Sequence, residues 1–283
     1  MRMAVPVTIM AALAAMSAPL VVSAKDAPTP ALSDSEKALV GQAIDRGELM
    51  YAYDQAAWHG TDDIRTKLPD FATKVEGWVV DGPREAPHLI FYSRDKGSPK
   101  AVYVADFRDN KLVASKVLLP NDDAALTPDE LKLIDARRRA RDALVKSDLA
   151  FCAKAMPNSI VLPPERAGGP YLVYFMTPQT SNDSVPLGGH YLFEVAADGS
   201  VGKPRPFTKS CIEMAVKDAT GDKPPAALFI THLLDTTPTE IHVFTTFAAR
   251  LPIYVMTAQN RRVWATGTAA GRAIIRLVDV SKK

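Results

Sequence analysis

The densest run of reactive side chains in this sequence is Thr231-His232-Leu233-Leu234-Asp235-Thr236-Thr237-Pro238-Thr239-Glu240-Ile241-His242. Two carboxylates and an imidazole brought to one side could bind a metal ion or act as general acid and base. If Thr236 to Thr239 form a hairpin loop, Asp235 pairs with Glu240 and Leu233 with His242. Strand alternation then places Asp235, Glu240 and His242 on one face. His232 falls on the opposite, apolar face with Leu228, Ile230, Ile241 and Val243, where a hydrogen-bonded core histidine is expected. A loop of odd length would instead bring both histidines to one face. An ordinary exposed turn contains the same residues, and that is the preferred reading of the cluster.

A second cluster is Gly188-Gly189-His190-Tyr191. Paired glycines ahead of a strand allow a tight turn or a close backbone approach. His190 could join the first cluster from another strand, but a turn at the start of a strand explains the same residues. Ser93-Arg94-Asp95-Lys96 matches S-x-x-K in spacing, yet it sits at a strand-to-turn junction rather than at a helix start. Asn182-Asp183-Ser184 fits a glycosylation sequon. The nucleophile-elbow, zinc-protease, P-loop and dinucleotide glycine motifs do not occur. No cofactor or metal is expected.

The chain begins with Arg2, followed by an uncharged apolar run from Ala4 to Val22 and the small-x-small triplet Val22-Ser23-Ala24. This is the pattern of a secretory leader over residues 1–24, cleaved after Ala24. A membrane anchor needs about 20 strongly apolar residues; this run is rich in Ala and contains Pro6 and Pro19. No second long apolar run follows, so no integral membrane segment is expected after cleavage. An oxidising compartment makes a Cys152–Cys211 disulfide the expected state of the two cysteines.

With 34 basic and 32 acidic residues, the formal net charge is +2. That balance gives no electrostatic reason to expect nucleic acid as a partner. The one basic run, Arg137-Arg138-Arg139-Ala140-Arg141, lies among helix formers and acids and is read as a solvated helix face.

These features must be carried by a fold of alternating patterns. Ser33 with Glu36 forms a capping box that opens a helix towards Leu49, with a second helix over Tyr51 to Trp58 left open. From Gly77 the period becomes strand-like through Trp78–Val80, His88–Ser93, Ala101–Phe107 and Leu112–Leu119. Thr127-Pro128-Asp129-Glu130 starts another helix. Strands then resume over Ser159–Leu162, Tyr171–Thr177 and His190–Ala196, with a short helix at Cys211–Lys217. The last part reads as strands Ala227–Leu234, Ile241–Phe247, Ile253–Met256, Val263–Thr266 and Ala273–Val278.

Three stretches share a plan of two apolar strands, a polar turn (Asp109-Asn110, Asp198-Gly199, Gln259-Asn260) and a third strand. The expectation is an α+β protein of antiparallel β-meanders flanked by helices, with a degenerate internal repeat as one origin. The organisation read is a 25–120 helix-plus-meander unit and a 121–283 helix-plus-antiparallel-β unit, or one continuous domain across both.

Val185-Pro186-Leu187-Gly188-Gly189-His190-Tyr191, the later Phe207-Thr208-Lys209-Ser210-Cys211 and the Thr231–Phe244 stretch resemble a family of uncharacterised proteobacterial exported proteins. The resemblance covers residues 160 to 265 and carries no biochemical activity with it. It implies a Gram-negative source and a periplasmic address. The functional expectation is a non-catalytic periplasmic binding or envelope-associated protein with an unknown protein or small-molecule partner. The alternative is a metal-dependent or acid/base hydrolase using Asp235, Glu240 and His242, with His190 contributed from another strand.

Overall fold

A computed structural model describes residues 31–94, 98–217 and 223–278. The leader, its cleavage site and the end of the S-x-x-K match (Asp95 and Lys96) lie outside these residues. In chain order the elements are α1 (Asp34–Lys67), α2 (Phe71–Lys74), β1 (Val75–Asp81), β2 (His88–Ser93), β3 (Ala101–Arg108), β4 (Lys111–Val117) and α3 (Pro128–Val145). They continue with β5 (Asn158–Leu162), β6 (Tyr171–Met176), β7 (Ser184–Pro186), β8 (Tyr191–Val195), β9 (Arg205–Pro206), β10 (Glu213–Ala215) and β11 (Leu228–His232). The chain closes with α4 (Glu240–Ala249), β12 (Ile253–Thr257), β13 (Arg262–Ala269) and β14 (Arg272–Leu277).

The α+β class with β-meanders holds. Three four-stranded sheets have the orders β1-β2-β3-β4, β5-β6-β8-β9 and β11-β12-β13-β14, and β7 pairs with β10 in a small ribbon. Every pairing is antiparallel except β11 with β12, which run parallel because α4 crosses between them. Strand alternation explains the layers. Leu89 and Phe91 of β2 and Leu172 and Tyr174 of β6 point into one core with Met50, Tyr53 and Ile64 of α1. Ile90, Tyr92 and Val173 point the other way, beneath Leu133, Ile134 and Ala140 of α3. Covered on both faces, β2, β5 and β6 read as continuous apolar runs, whereas β3 alternates and β4 is largely exposed. Both cores draw residues from either side of position 120.

Helix α1 is one element through Tyr51–Trp58, the stretch the sequence leaves open. The Ser33–Glu36 capping box starts it as expected. Its buried stripe Val40, Ala43, Gly47, Met50, Tyr53, Ala57, Gly60 and Ile64 repeats at three- and four-residue steps. At Gly47 the helix crosses α4 so closely that a Cβ would lie 2.5 Å from the Cβ of Val243. The first half of α1 and α4 pack on the inner face of the third sheet through Val40, Val243, Val255 and Trp264.

Two expected elements differ. Ile241–Phe247 is helix, not strand, because Thr239 is an extended N-cap after Pro238 and the segment is apolar on a 3.6-residue period. The third stretch therefore does not follow the plan drawn for a repeat. Glu213–Ala215 is a strand rather than part of a helix, since it completes the ribbon with Ser184–Pro186. The basic run is likewise not only a solvated face. Arg137 donates to Ser159 Oγ and to Tyr92 OH at 2.8 Å each, and Arg138 chelates Glu76 at 3.0 and 2.5 Å. These bonds bolt α3 to β1, β2 and β5.

Cys152 and Cys211 are joined, with Cα atoms 5.3 Å apart and 59 residues of separation. The bridge ties the loop after α3 to the segment entering β10. Gly188 and Gly189 thread past it: a Cβ at Gly189 (φ +71) would stand 2.7 Å from Cys152 Sγ, and one at Gly188 would stand 2.4 Å from Ile212 N. The paired glycines thus serve close backbone approach. Closing a loop of this size stabilises by about 4 kcal/mol on the chain-entropy account. Replacing both cysteines by serine is expected to cost that order of stability in urea titrations without changing the far-UV circular dichroism spectrum.

Candidate functional site

The Thr231–His242 cluster folds differently from a hairpin. β11 ends at His232, and the chain then turns through Leu233–Pro238 into α4. His232 and Asp235, expected on opposite faces, meet: Nε2 of His232 lies 2.9 Å from Asp235 Oδ2. His232 is nevertheless a buried, hydrogen-bonded histidine, as read. Arg205 of β9 donates to the other oxygen of Asp235 at 2.9 Å and stands 3.8 Å from Glu240 Oε1. Glu240 is buried at the head of α4, accepts from Tyr174 OH at 2.9 Å and has Arg46 of α1 at 3.7 Å. Arg46 in turn binds Glu165 at 2.5 Å.

His242 sits in the first turn of α4, where Nδ1 accepts from Thr239 N at 3.0 Å, and its ring meets His232 edge-on at 4.7 Å. That acceptor role fixes the proton on Nε2, the one ring nitrogen here without a partner. Asp235 and Glu240 are linked through Arg205, and His242 meets Asp235 only through the ring of His232, in a network with Arg46 and Tyr174 that bonds both carboxylates and leaves His242 Nε2 without a partner. Burial opposes the Asp235 charge, and the bonds from His232 and Arg205 overcome it, holding its pKa below the usual range. Burial, with the neighbouring His232, pushes His242 down to about 3. A small cavity of about 260 Å³ beside Gln42, Arg46, Arg205 and Glu240 opens on this network.

His190 hydrogen-bonds none of these residues. Its Nδ1 accepts from Thr177 N at 3.0 Å and its Nε2 faces Pro186 O at 3.1 Å, while Thr177 Oγ1 donates to Gly189 O at 2.9 Å. Burial pushes it down to about 4. It is a neutral strut that fixes the loop between β6 and β8. Among the described residues, no three His, Cys, Asp or Glu side chains are placed to hold a metal ion.

The loop that His190 braces walls a solvent-open cleft of about 800 Å³ between α1, α4 and residues 177–186. Tyr51, Asp54, Gln55 and Trp58 enter it from consecutive turns of α1, opposite Phe244 and Thr245 of α4, with Trp78 of β1 at one end. Trp58 is 57 % exposed, and Thr245 Oγ1 is buried without a hydrogen-bond partner. Asp54 has no cation within ion-pair reach among the described residues. Burial raises its carboxyl to about 6, against a weaker opposing bond from Gln55.

None of these residues was singled out from the sequence alone. Their signal is a second stripe on α1, Tyr51-Asp54-Gln55-Trp58-Thr61, at helical spacing beside the core stripe and mixing aromatic with polar types. Family models, curated proteins and solved structures give no match to this chain.

The buried titratable groups set a pH dependence. His190 and His242 stay neutral in the fold, whereas the unfolded chain protonates them below about pH 6.5. Each therefore withdraws about 1.4 kcal/mol of stability per pH unit as pH falls through that window. Asp54 works in the opposite sense, because the folded state takes up its proton near pH 6 and the unfolded state only near 4. Urea titrations between pH 6 and 4.5 should show a net loss of about 1.4 kcal/mol per pH unit. Asp54→Asn should roughly double that slope and, by removing a poorly solvated charge, raise stability at pH 7 by about 1 kcal/mol after allowance for cleft water. A flat profile, or a variant less stable at pH 7, would contradict the assignment.

Proposed function

We propose that this protein is exported by a leader over residues 1–24, cut after Ala24, and works in the periplasm or outside the cell as a non-catalytic binding protein. Its ligand lies in the cleft of α1 and α4. The Cys152–Cys211 bridge supports an oxidising compartment, and the resemblance of residues 160–265 to exported proteobacterial proteins supports the periplasm. Among the described residues no helix is long and apolar enough to cross a membrane.

The observation that carries the binding reading is the contrast between the two polar sites. Around Glu240 the charges satisfy one another, which suits holding α1, α4, β6 and β9 together. In the cleft a raised carboxyl and an exposed tryptophan line open space, as groups awaiting a ligand do, and a threonine hydroxyl buried in its lining has no partner. The acid/base hydrolase alternative would need Asp235, Glu240 and His242 free to reach a substrate, and the bonds to both carboxylates and the burial of His242 weigh against it.

A thermal-shift screen of the mature protein against a metabolite library tests this. At least one compound should raise Tm for the native protein and fail to do so for Trp58→Ala, whose fold the exposed position leaves intact. A Tm response that Trp58→Ala retains would move the site elsewhere. Hydrolysis of chromogenic esters or glycosides, lost in Glu240→Gln at unchanged Tm, would favour the enzyme reading.

A further inference from the structure

We infer that the ligand of this cleft is a short saccharide chain, an inference that rests on the binding reading above. The first ground is the pairing of side-chain types. Trp58 and Trp78 line the cleft beside Tyr51, whose ring stacks on Phe247, and the C–H faces of pyranose rings pack flat against aromatic faces. Trp58 stays 57 % exposed although His59 stacks on it with ring centroids 5.1 Å apart, which leaves indole surface that a flat, partly apolar ring can cover. The second ground is the set of neutral amides. Gln55 from α1, Asn158 from the start of β5, and Gln179 and Asn182 from the braced loop all line the cleft. Each carries a donor and an acceptor on one planar group, which matches the hydroxyl of a sugar, itself donor and acceptor. Gln179 is held in place by its own bond to Ser181 O at 2.8 Å.

The charges favour the same class over its rivals. A phosphorylated or nucleotide ligand calls for clustered guanidinium forks. Here Arg65 is already opposed by Asp62 at 3.5 Å, and Arg250 faces the cleft across from Asp54. A fatty ligand calls for an enclosed apolar cavity, whereas this one is open to solvent and mixes polar with apolar side chains. Asp54, without a cationic partner among the described residues, can accept from two adjacent hydroxyls. The volume of about 800 Å³ exceeds what one sugar ring fills and falls in the range of sites for ligands of several rings.

The test uses the mature protein on a glycan array spanning neutral hexoses, N-acetylhexosamines and uronic acids. Tryptophan-fluorescence titration follows with the binders found, beside cello-, malto- and chitotetraose. The expected result is saturable binding of at least one glycan with a change in tryptophan emission. Trp58→Ala should weaken it about tenfold or more, the scale of a lost aromatic stacking partner, and Asn182→Ala by a few-fold. Absence of binding to every glycan, or binding that Trp58→Ala leaves unchanged, overturns the saccharide assignment. Saturation by tetramethylammonium instead would reassign the aromatic walls and Asp54 to an organic cation. If the metabolite library and the glycans alike give no response, the binding reading falls with the saccharide; a response to non-sugar compounds alone removes only the saccharide.

Discussion

The structure depends on the burial of one long helix. α1 presents a stripe from Val40 to Ile64 that three sheets share: the third sheet and α4 take its first half, and the first two sheets take its second. A single amphipathic helix with one partner could tolerate slippage. A helix with partners on several sides cannot, because a shift that relieves one contact breaks another. The small residues Ala43, Gly47, Ala57 and Gly60 mark where neighbours come closest. Glu48, 2 % exposed on the same helix, accepts from Ala273 N at 2.6 Å and pairs with Arg272 at 3.0 Å, locking β14 to the spine. A buried carboxylate costs desolvation, and these partners offset it.

That fixed helix divides its polar residues between two purposes. Arg46 leans towards Glu165 and Glu240, where opposite charges are matched and Tyr174 and Arg205 complete the set. Such a network gives little net stability over an apolar core, yet it specifies which elements meet. Two turns further on, Asp54 stands beside aromatic rings with its charge unmatched. Local rules are broken there and kept at Glu240, and breaches of this kind collect at functional sites.

Much of the fold was legible in the residues. The capping boxes at Ser33 and Thr127 start α1 and α3, the Asp109-Asn110 pair takes positive φ between β3 and β4, and the apolar runs at His88–Ser93 and Tyr171–Met176 are strands. The disulfide was expected from two cysteines together with the leader-like pattern of residues 1–24. The Thr239–Phe247 stretch misled because Ile241, Val243, Phe244 and the threonines are β-branched or aromatic, and local propensity favours strand. Burial against Gly47 and Trp264 selected helix instead. The Glu240 cluster was visible as residues, but not its neutralisation, since Arg46, Tyr174 and Arg205 come from distant positions. The cleft was hidden for a related reason: a loop from 177 to 186 and a helix from 240 to 249 must first be brought against α1.

The central claim is that α1 carries a ligand site on the face between its core stripe and solvent. Amide chemical-shift mapping of the mature protein, with the saccharide that binds it best, addresses this directly. The account predicts perturbations concentrated in Tyr51–Thr61, Thr177–Asn182 and Phe244–Arg250, with Arg205 and Asp235 unmoved. Perturbations centred on Arg205, Asp235 and Glu240, or spread evenly at no particular site, would contradict it.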